Sequence, residues 1–390
     1  MFIGRTDRGL LAKWWFTVDR KMLSALLLLM SAGVLFNMAA SPVVATRIGL
    51  PPFHFLERQI IFLIPGIVVL IGASMLTAAH ARRIAFMGFA GSLVLVALTL
   101  AVGPEIKGAT RWLSIGSLAI QPSEFLKPAF IVVSAFFMAE SMRRPEMPGI
   151  FIAAALLLVV IGLLVLQPDF GQTILVAAAW ITMLFMTGVS WIWIFAAAGL
   201  GIGGMVFAYF TVAHVASRID RFLSPDTGDT FQVDMARNAF EQGGLLGQGP
   251  GNGSVKMSIP DAHSDFAFSV IGNEFGGVAC LIMVCVFAYV VARGLKFTLV
   301  EDDPFHRLAV TGLMSIFGMQ AVINMGVNVA LLPAKGMTLP FISYGGSSLI
   351  AMTFGMGLVL AFTRRRPEEG MRNHVWQAPA HDFQPAGQHS

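Results

Sequence analysis

The residues best suited to chemistry lie in the segment Ile259-Pro-Asp-Ala-His-Ser-Asp-Phe266, immediately before a long apolar run. Asp265 falls in the first turn of the helix that this run predicts, where the helix dipole favours a carboxylate. Two interpretations follow from the residue types alone. Ser264 or Asp261 could cap the helix, which would make the cluster structural, or Asp265 could be a partly desolvated general base. His263 by itself is more typical of a packed residue at such a boundary.

A second group of ionisable residues surrounds the start of another apolar run. Arg111 is followed by a tryptophan, a pair typical of an interfacial anchor, whereas Glu124 and Lys127 stand three residues apart at the start of the run itself. Asp169 lies in the short link Gln-Pro-Asp-Phe-Gly between two further apolar segments. Ionisable side chains at membrane depth are costly, so these residues are candidates for function.

The third group is the segment 332–348, which contains two prolines and ends in a Gly-Gly-Ser-Ser run. Irregular backbone at membrane level is tolerated where it is buried in protein or lines a wet cavity. Asn324 and Asn328, four residues apart in the preceding run, are predicted to face one side and could bond across helices. A glycine-rich run is weak evidence for phosphate binding, and the sequence has no Walker pattern. With Lys335, the three groups would suit a lipid-linked anionic substrate such as a pyrophosphate.

The composition predicts that these groups are positioned by helices in a lipid bilayer. Hydrophobic residues make up 56% of the 390-residue chain and charged residues only 12%, which is too little charge for a water-facing surface. The two cysteines exclude a disulfide framework and a Cys/His metal motif. The net charge of +4 arises from short basic clusters between apolar runs. These clusters indicate membrane topology and not binding of nucleic acid.

About ten apolar runs are long enough to cross a membrane. They are residues 22–40, 60–79, 84–103, 123–140, 149–166, 172–188, 191–213, 265–292, 308–331 and 347–363. With an even number of spans, all the basic clusters fall on one side, which the positive-inside rule assigns to the cytoplasm. The outer side then receives residues 41–59, 104–122, 167–171, 214–264 and 332–346.

The sequence therefore predicts an all-α integral membrane protein with both termini in the cytoplasm. Residues 1–21 form a cytoplasmic N-terminal segment, residues 22–363 the ten-helix membrane domain and residues 364–390 a disordered cytoplasmic tail. The segment 214–264, between the seventh and eighth spans, is the large periplasmic loop. It contains several phenylalanines, so we expect it to be partly ordered and packed on the bundle.

The three groups together resemble the SEDS family. The resemblance spreads over about residues 15–365 and rests on motifs in the same order as in the family: Thr110-Arg-Trp112, Gln121-Pro-Ser-Glu-Phe125, Gln167-Pro-Asp-Phe-Gly171, Gly243-Gly-Leu-Leu-Gly247, His263-Ser-Asp-Phe266 and Leu339-Pro-Phe-Ile-Ser-Tyr-Gly-Gly-Ser-Ser348. Within the family the chain is more similar to the cell-division branch, FtsW, than to the elongation branch, RodA. That similarity lies in residues 41–45, 53–59 and 332–340, which include Lys335.

The resemblance implies a peptidoglycan glycosyltransferase that polymerises lipid II at the periplasmic face of the inner membrane, at the division septum. Asp265 would take the proton from the acceptor sugar hydroxyl, and a cation clamp of Arg111 and Lys335 would hold the leaving pyrophosphate. The other residues assigned to the substrate are Lys127, Ser343, Gly345 and Gly346, and the supporting residues are Glu124, Asp169, His263, Asp261 and Ser264.

The same resemblance implies the remaining components. A divalent cation, Mg or Mn, could assist the leaving group, and no organic cofactor is expected. The expected partners are a class B penicillin-binding protein with transpeptidase activity, other divisome proteins and membrane lipids, and no nucleic acid.

The chain departs from the family pattern at three positions. Ser264 replaces the usual threonine, Asp261 stands where many relatives have glutamate, and Asn273 stands where a paired glutamate motif begins, leaving Glu274 alone. This last departure puts any role of a first glutamate in doubt.

Three alternatives stay open: a lipid II flippase, an elongation polymerase of the RodA type and a non-catalytic divisome scaffold. The inner halves of the apolar runs contain few ionisable residues, which weighs against a polar path for a headgroup.

Overall fold

The computed structural model describes residues 9–47, 49–105, 109–116, 118–212, 215–217, 219–220, 231–253, 259, 262–333 and 336–364. The helices are α1 (Leu10–Thr17), α2 (Arg20–Arg47), α3 (His54–Met75), α4 (Ala78–Val102), α5 (Pro122–Arg143), α6 (Gly149–Leu166), α7 (Phe170–Met186), α8 (Trp191–Thr211), α9 (Phe231–Gly243), α10 (Ala267–Thr298), α11 (Pro304–Asn328) and α12 (Gly346–Phe362). A short antiparallel hairpin, β1 (Leu113–Ile115) and β2 (Leu118–Ile120), precedes α5 and pairs Ser114 with Ala119.

Helices long enough to cross a membrane dominate the described part of the chain. Eight of them meet the length and hydropathy required of a span, and α7 and α12 are shorter apolar helices. These ten helices correspond in order to the ten predicted segments, which confirms the all-α membrane fold. Residues 365–390, predicted to be a disordered tail, lie outside the described residues.

The bundle has a defined polarity along its helices. Arg364, just after α12, donates to Thr17 Oγ1 at 3.0 Å, so both described chain ends lie at one end of the bundle. The α10 N-terminus and the α11 C-terminus lie at the other end, because Asn328 contacts the residue pair Asp265 and Ser269. Helix α11 separates these ends by about 37 Å, from its 25 residues. We call them the charged end and the site end.

The core is centred on α5 and α11, which are the most buried of the span-length helices. Their large apolar side chains, such as Phe130 and Phe317, are fully enclosed by neighbouring helices. Helix α8 is the opposite case, because none of its residues is buried. The bundle thus has a buried centre and one peripheral helix, α8, whose main contact is with α7.

Several predicted boundaries are wrong by a turn or more. Helix α2 continues to Arg47 with Pro42 inside it, so residues 41–47 are helical and not loop. Helix α4 begins at Ala78, with Thr77 as its N-cap accepting the His80 N–H, so the basic residues predicted for a link are in its first turns. Hydropathy alone shortens both helices, because polar helix ends extend beyond the apolar run.

Helix α10 is broken at Gly276, where φ is 78° and ψ is 176°. The carbonyl groups freed on one side accept from the loop after α9: Gln248 N–H donates to Asn273 O and Gly249 N–H to Glu274 O, both at 3.0 Å. On the other side, Gly277 N–H donates to Gly244 O at 2.9 Å. The break is therefore satisfied by backbone from residues 244–249, which we call the glycine loop.

The glycine loop approaches α10 more closely than any side chain would permit. A Cβ on Gly247 would lie 2.2 Å from Glu274 O, and one on Gly243 would lie 2.0 Å from Gly272 O. Helix α9 packs on the same half of α10, with the rings of Phe240 and Phe268 at 5.6 Å. Residues 231–253 of the predicted periplasmic loop are therefore folded against the bundle.

Candidate functional site

The turn that carries Asp265, residues 262–266, is fixed to α11 by two asparagines. Asn324 Nδ2 and Asn328 Nδ2 each donate to the backbone carbonyl of Asp265 at 2.9 Å. Asn328 Oδ1 also accepts the N–H of Ser269 in the first turn of α10, at 3.0 Å. We call these residues 262–266 the aspartate turn. Its position is set by amide side chains that leave the Asp265 carboxyl group uninvolved in these bonds.

The asparagines belong to a ladder of amides along one face of α11. Gln320, Asn324 and Asn328 are spaced four residues apart, and all three are buried. Gln320 Oε1 accepts from Lys127 Nζ at 3.1 Å, and Gln320 Nε2 donates to Thr338 O at 3.0 Å. The ladder therefore connects α5 to the aspartate turn through one rigid helix.

Ionisable groups pack beneath this ladder, where α5 meets α7. Lys127 Nζ lies 2.9 Å from Glu124 Oε2, and Glu124 Oε1 accepts from Gln172 Nε2 at 2.7 Å. Both members of the ion pair are almost fully buried. Within the described residues the Lys127 ammonium group contacts protein groups, and its predicted contact with pyrophosphate stays a prediction.

Arg111 and Asp169 form a second charged pair beside the first. Arg111 Nη1 lies 3.7 Å from Asp169 Oδ1, and the guanidinium group donates to the carbonyl groups of Gln167, at 3.2 Å, and Pro168. Asp169 Oδ1 also accepts the Gln172 N–H at the start of α7. Burial raises the pKa of Asp169, and the charge of Arg111 opposes this rise. Arg111 thus anchors the link between α6 and α7, and its predicted role in the clamp stays a prediction.

The loop of residues 336–348 joins the charged pairs to the aspartate turn. Asn324 Nδ2 donates to Met337 O at 2.6 Å, and Thr338 Oγ1 lies 2.9 Å from Ser348 Oγ. Ser347 Oγ accepts the N–H of Gln121, just before α5, at 3.1 Å. A Cβ on Gly336 would lie 3.4 Å from Asp265 Oδ2, so this loop borders the Asp265 carboxyl group.

Three residues of this loop were predicted to contact the substrate. Ser343 is buried, and its Oγ accepts the N–H of Leu339 at 2.9 Å, which closes a turn. Gly346 begins α12 where a Cβ would lie 2.6 Å from the ring of Phe62, so helix packing requires a glycine there. Gly345 precedes it as the N-cap, without a side-chain cap. For Ser343 and Gly346 the structure supplies a packing reason for the residue type.

His263 packs on aromatic side chains at the outer edge of the aspartate turn. Its ring stacks on Phe55 with centroids 4.0 Å apart, and its carbonyl group accepts the Tyr344 N–H at 2.9 Å. The Arg58 guanidinium group donates to the Tyr344 hydroxyl. Burial raises the pKa of Tyr344, and Arg58 opposes this rise. His263 thus ties the aspartate turn to α3 and to the 336–348 loop.

Two predicted site residues, Lys335 and Asp261, lie outside the described residues. Their chain neighbours are informative, because Gly336 lies beside the Asp265 carboxyl group and Ala262 is buried in the aspartate turn. Ser264 is half-buried in the same turn. The site residues that sequence reasoning missed are the glutamines Gln172 and Gln320. A glutamine four residues before Asn324 on an apolar helix was the available signal.

The described residues do not supply a metal site made of protein ligands alone. In this part of the chain, no group of three or more His, Cys, Asp or Glu side chains has the geometry to hold a metal ion. The N-terminus of α12 lies at the site without a side-chain cap. Its backbone dipole favours an anion there.

The fold and the site together define a multi-pass membrane protein whose buried polar groups converge at one end of a helix bundle. The family model described as "Cell cycle protein", covering FtsW, RodA and SpoVE, matches residues 19–368. The chain belongs to this family.

Similar proteins support the same placement. The chain is 43% identical over 364 residues to a protein named "Probable peptidoglycan glycosyltransferase FtsW" from Caulobacter vibrioides, with 93% of each chain covered. It is 35% identical over 353 residues to a protein of the same name from Trichlorobacter lovleyi, covering 88% of this chain and 92% of that one.

Solved structures share the fold. One is described as "Structural coordination of polymerization and crosslinking by a peptidoglycan synthase complex", with a TM-score of 0.75, 27% identity and coverage of 90% of this chain and 98% of that one. The crystal structure of the rod shape determining protein RodA from Thermus thermophilus has a TM-score of 0.64, 27% identity and coverage of 90% and 97%.

Proposed function

We propose that this chain is a peptidoglycan glycosyltransferase that polymerises lipid II at the site end of the bundle during septal cell-wall synthesis. Its relatives named as FtsW glycosyltransferases match over most of both chains. The observation that carries the proposal is the environment of Asp265. The aspartate turn is held by two buried amides, and the carboxyl group borders Gly336, the residue after Lys335.

In this proposal, Asp265 accepts the proton of the acceptor sugar hydroxyl as its oxygen attacks the anomeric carbon of the donor. The bond from that carbon to the pyrophosphate oxygen breaks, and the lipid pyrophosphate leaves with the bonding electrons. General base catalysis of this kind contributes about 10²–10⁴-fold to the rate. A side chain held by rigid helices suits the task because its position need not be organised during the reaction.

The leaving pyrophosphate needs compensating positive charge. Lys335 directly precedes Gly336, which borders the Asp265 carboxyl group. The N-terminus of α12, which has no side-chain cap, adds backbone N–H groups. Arg111 contributes at longer range, because its guanidinium group is engaged by the α6–α7 link. A divalent cation, Mg or Mn, could assist the leaving group, since pyrophosphate oxygens are suitable ligands for such an ion.

The placement of ionisable groups favours a polymerase over a flippase. Among the described residues, the buried charged side chains are Glu124, Lys127, Asp169 and Glu274. All four lie towards the site end, whereas a polar headgroup crossing the bilayer would need polar groups along the whole path. The names of the relatives favour cell division over elongation.

The chain is also proposed to work with a class B penicillin-binding protein and other divisome proteins in the bacterial inner membrane. A solved neighbour belongs to a synthase complex described as coordinating polymerization and crosslinking. The described helices show no separate domain that could cross-link glycan strands. A transpeptidase partner would supply that reaction.

Polymerisation of labelled lipid II tests the function. The full chain is purified with its transpeptidase partner, and glycan strands made by the parent and by Asp265→Asn are compared on a gel. The variant should lose polymer by at least about a hundredfold, because an amide cannot accept the proton. Glu105→Gln, at an exposed acid of the same end, is the matched control and should retain activity.

The outcomes separate the proposals. Polymer made equally by Asp265→Asn and by the parent would exclude Asp265 as the base. The parent chain with its transpeptidase partner could instead make no polymer and move the lipid II headgroup across vesicle membranes. That result would identify a flippase.

A further inference from the structure

The charged end of the bundle contains a cavity of about 990 Å³ that the proposed glycosyltransferase reaction does not use. It lies between the α1–α2 junction, the C-terminal end of α10, the following link to α11 and the C-terminal end of α12. The site end is the length of a helix away. The question is which ligand the chemistry of its walls would bind.

One acidic side chain of the wall is already neutralised inside the fold. Asp19 Oδ1 accepts the N–H groups of Lys21 and Met22 at 3.1 Å, and Asp19 Oδ2 accepts from Arg293 Nε at 2.7 Å. The carboxylate therefore caps α2 and pairs with α10. The charges of Asp19 and Arg293 compensate each other, so this pair presents no net charge to a ligand.

Asp303 is engaged in the same way, and Glu301 is held by the backbone of the link after α10. Asp303 Oδ1 accepts the Phe305 N–H at 2.8 Å as the cap of α11, and its Oδ2 accepts from Arg143 Nη2 at 2.9 Å. Glu301 Oε1 accepts the Asp303 N–H at 3.1 Å and lies 3.9 Å from His306 Nδ1. These carboxylates hold the link between α10 and α11 in place.

The remaining charged side chains of the cavity give it an excess of positive charge. Lys21 and Lys296 are exposed, and neither forms an ion pair with another residue in the described ranges. Arg20 is exposed as well, with its guanidinium carbon 5.8 Å from the Trp15 ring centroid. Arg364 adds a fourth cation to the wall, and Glu301 and Asp302 are the carboxylates that oppose these four. The wall can therefore bind an anion without first breaking an internal ion pair.

An apolar surface continues from the cavity along α10. Phe16, Phe297 and Val300 line the cavity beside the charged groups. On the side of α10 towards the bilayer, Tyr289 and Leu295 are exposed, which suits contact with lipid chains. A charged pocket with one apolar side matches an amphipathic ligand better than it matches a free ion.

We propose that this cavity binds the phosphate-bearing headgroup of an anionic phospholipid from the adjacent leaflet. Lys21 and Lys296 contact the phosphate, and the acyl chains lie along Tyr289 and Leu295 of α10. The basic clusters predict that this end faces the cytoplasm, where anionic lipids attract exposed lysine and arginine. The proposal is independent of the chemistry at Asp265 and holds for the protein whether or not it polymerises lipid II.

Binding of fluorescent phosphatidylglycerol to the purified full-length protein in detergent tests the proposal. The double variant Lys21→Gln/Lys296→Gln should bind about tenfold more weakly than the parent. The matched control Lys13→Gln/Arg144→Gln removes two exposed cations of the same end outside the cavity wall and should change binding less than about twofold. Equal affinity of the double variant and the parent, or an equal loss in the control, would overturn the proposal.

Competitors identify the source of the phosphate group. Unlabelled phosphatidylglycerol should displace the probe, and phosphatidylcholine should do so poorly. Displacement by soluble glycerol phosphate at the same concentration would assign the cavity to a soluble phosphate compound, and displacement by an acidic peptide would assign it to a protein partner. Either result would overturn the lipid assignment. Should the double variant fail to fold, each single variant gives the same test with a loss of about threefold.

Discussion

Asn324 and Asn328 hold Asp265 by its backbone carbonyl group. Their hydrogen bonds therefore set the position of the residue without involving its carboxyl group. Two N–H donors converge on one carbonyl oxygen, each at 2.9 Å. The two asparagines therefore fix where the base sits through its backbone carbonyl group.

Replacing Asn328 should therefore reduce the rate of polymerisation more than it reduces substrate binding. Asn328→Ala removes a donor to Asp265 O and the acceptor of the Ser269 N–H. We expect kcat to fall about 10–100-fold with little change in KM, because misplacement of a catalytic group costs turnover. Steady-state kinetics on labelled lipid II with the purified complex measure both constants.

Two further variants show whether the donor is responsible. Asn328→Asp keeps an oxygen for the Ser269 N–H but replaces the donor, so it should lose as much kcat as the alanine variant. Asn238→Ala, on α9, should behave as the parent, because the contact of Asn238 is with Gln242 on the same helix. A variant of Asn328 that raised KM alone would contradict the positioning role.

At the level of single residues, the sequence could identify Asp265, Glu124 and Asp169 because charge near membrane depth is rare. It could not distinguish a ligand-binding cation from a structural one. Lys127 and Arg111 are equally conspicuous in the sequence, yet both are paired with acids in the structure. Pairing depends on which helices are neighbours, and the order of residues along one chain does not contain that information.

Among the helices, α5 is joined to α7 and α11 by the buried pair of Glu124 and Lys127. Lys127→Met leaves the Glu124 carboxylate buried without its cation, and such a change costs about 3–5 kcal/mol. The double variant Glu124→Gln/Lys127→Met should recover part of this loss, because the uncompensated charge is gone. Thermal unfolding of Lys127→Met, Glu124→Gln and the double variant in detergent measures the difference.

An exposed ion pair on α9 is the control for this comparison of single and double variants. Arg237 Nε lies 3.0 Å from Glu241 Oε1, and both side chains are open to solvent. Glu241→Gln should change stability by less than about 1 kcal/mol. Additive effects of Glu124→Gln and Lys127→Met would contradict a direct coupling across the buried pair.

The glycine loop and the broken helix α10 form a second joint between elements. Gly247 has φ of 80°, and a Cβ there would meet the Glu274 carbonyl at 2.2 Å. Gly251 has a similar φ of 84° but open space around it. Alanine at either position carries the strain of positive φ, about 1 kcal/mol, whereas Gly247→Ala must also separate the loop from α10.

Gly247→Ala should therefore lower the unfolding temperature clearly more than Gly251→Ala does. The difference between the two variants isolates the contact with α10, because the backbone strain is common to both. Thermal unfolding monitored by tryptophan fluorescence makes the comparison. Equal shifts would mean that the glycine loop detaches from α10 at little cost.

The elements themselves were predictable to different degrees. Long apolar runs identify span-length helices because lipid requires satisfied backbone groups. The break at Gly276 was hidden, because a glycine inside an apolar run is compatible with an unbroken helix. Hydrogen bonds with the glycine loop, among them those of Gln248 and Gly249, satisfy the backbone groups at the break, and these residues are more than 20 positions away in the sequence.

Over the whole molecule, the two ends of the bundle have opposite character. The site end gathers buried polar groups such as Glu124 and Asn328, whereas the charged end holds exposed basic residues and the cavity. Buried groups can maintain a fixed geometry for chemistry, and exposed cations can respond to the lipid surface. The charge distribution therefore predicts which end faces the cytoplasm.

Labelling of single cysteines tests this orientation. In a background with Cys280→Ala and Cys285→Ala, one cysteine replaces Ser114 in the β1–β2 hairpin at the site end, and another replaces Glu146 between α5 and α6 at the charged end. Both positions are exposed. A membrane-impermeant maleimide added to spheroplasts should modify Ser114→Cys directly and Glu146→Cys only after permeabilisation, because the positive-inside rule keeps the charged end in the cytoplasm. Both variants should react fully in detergent, which controls for intrinsic reactivity. The reverse pattern in spheroplasts would mean that the topology is inverted, and that each end lies at the opposite leaflet.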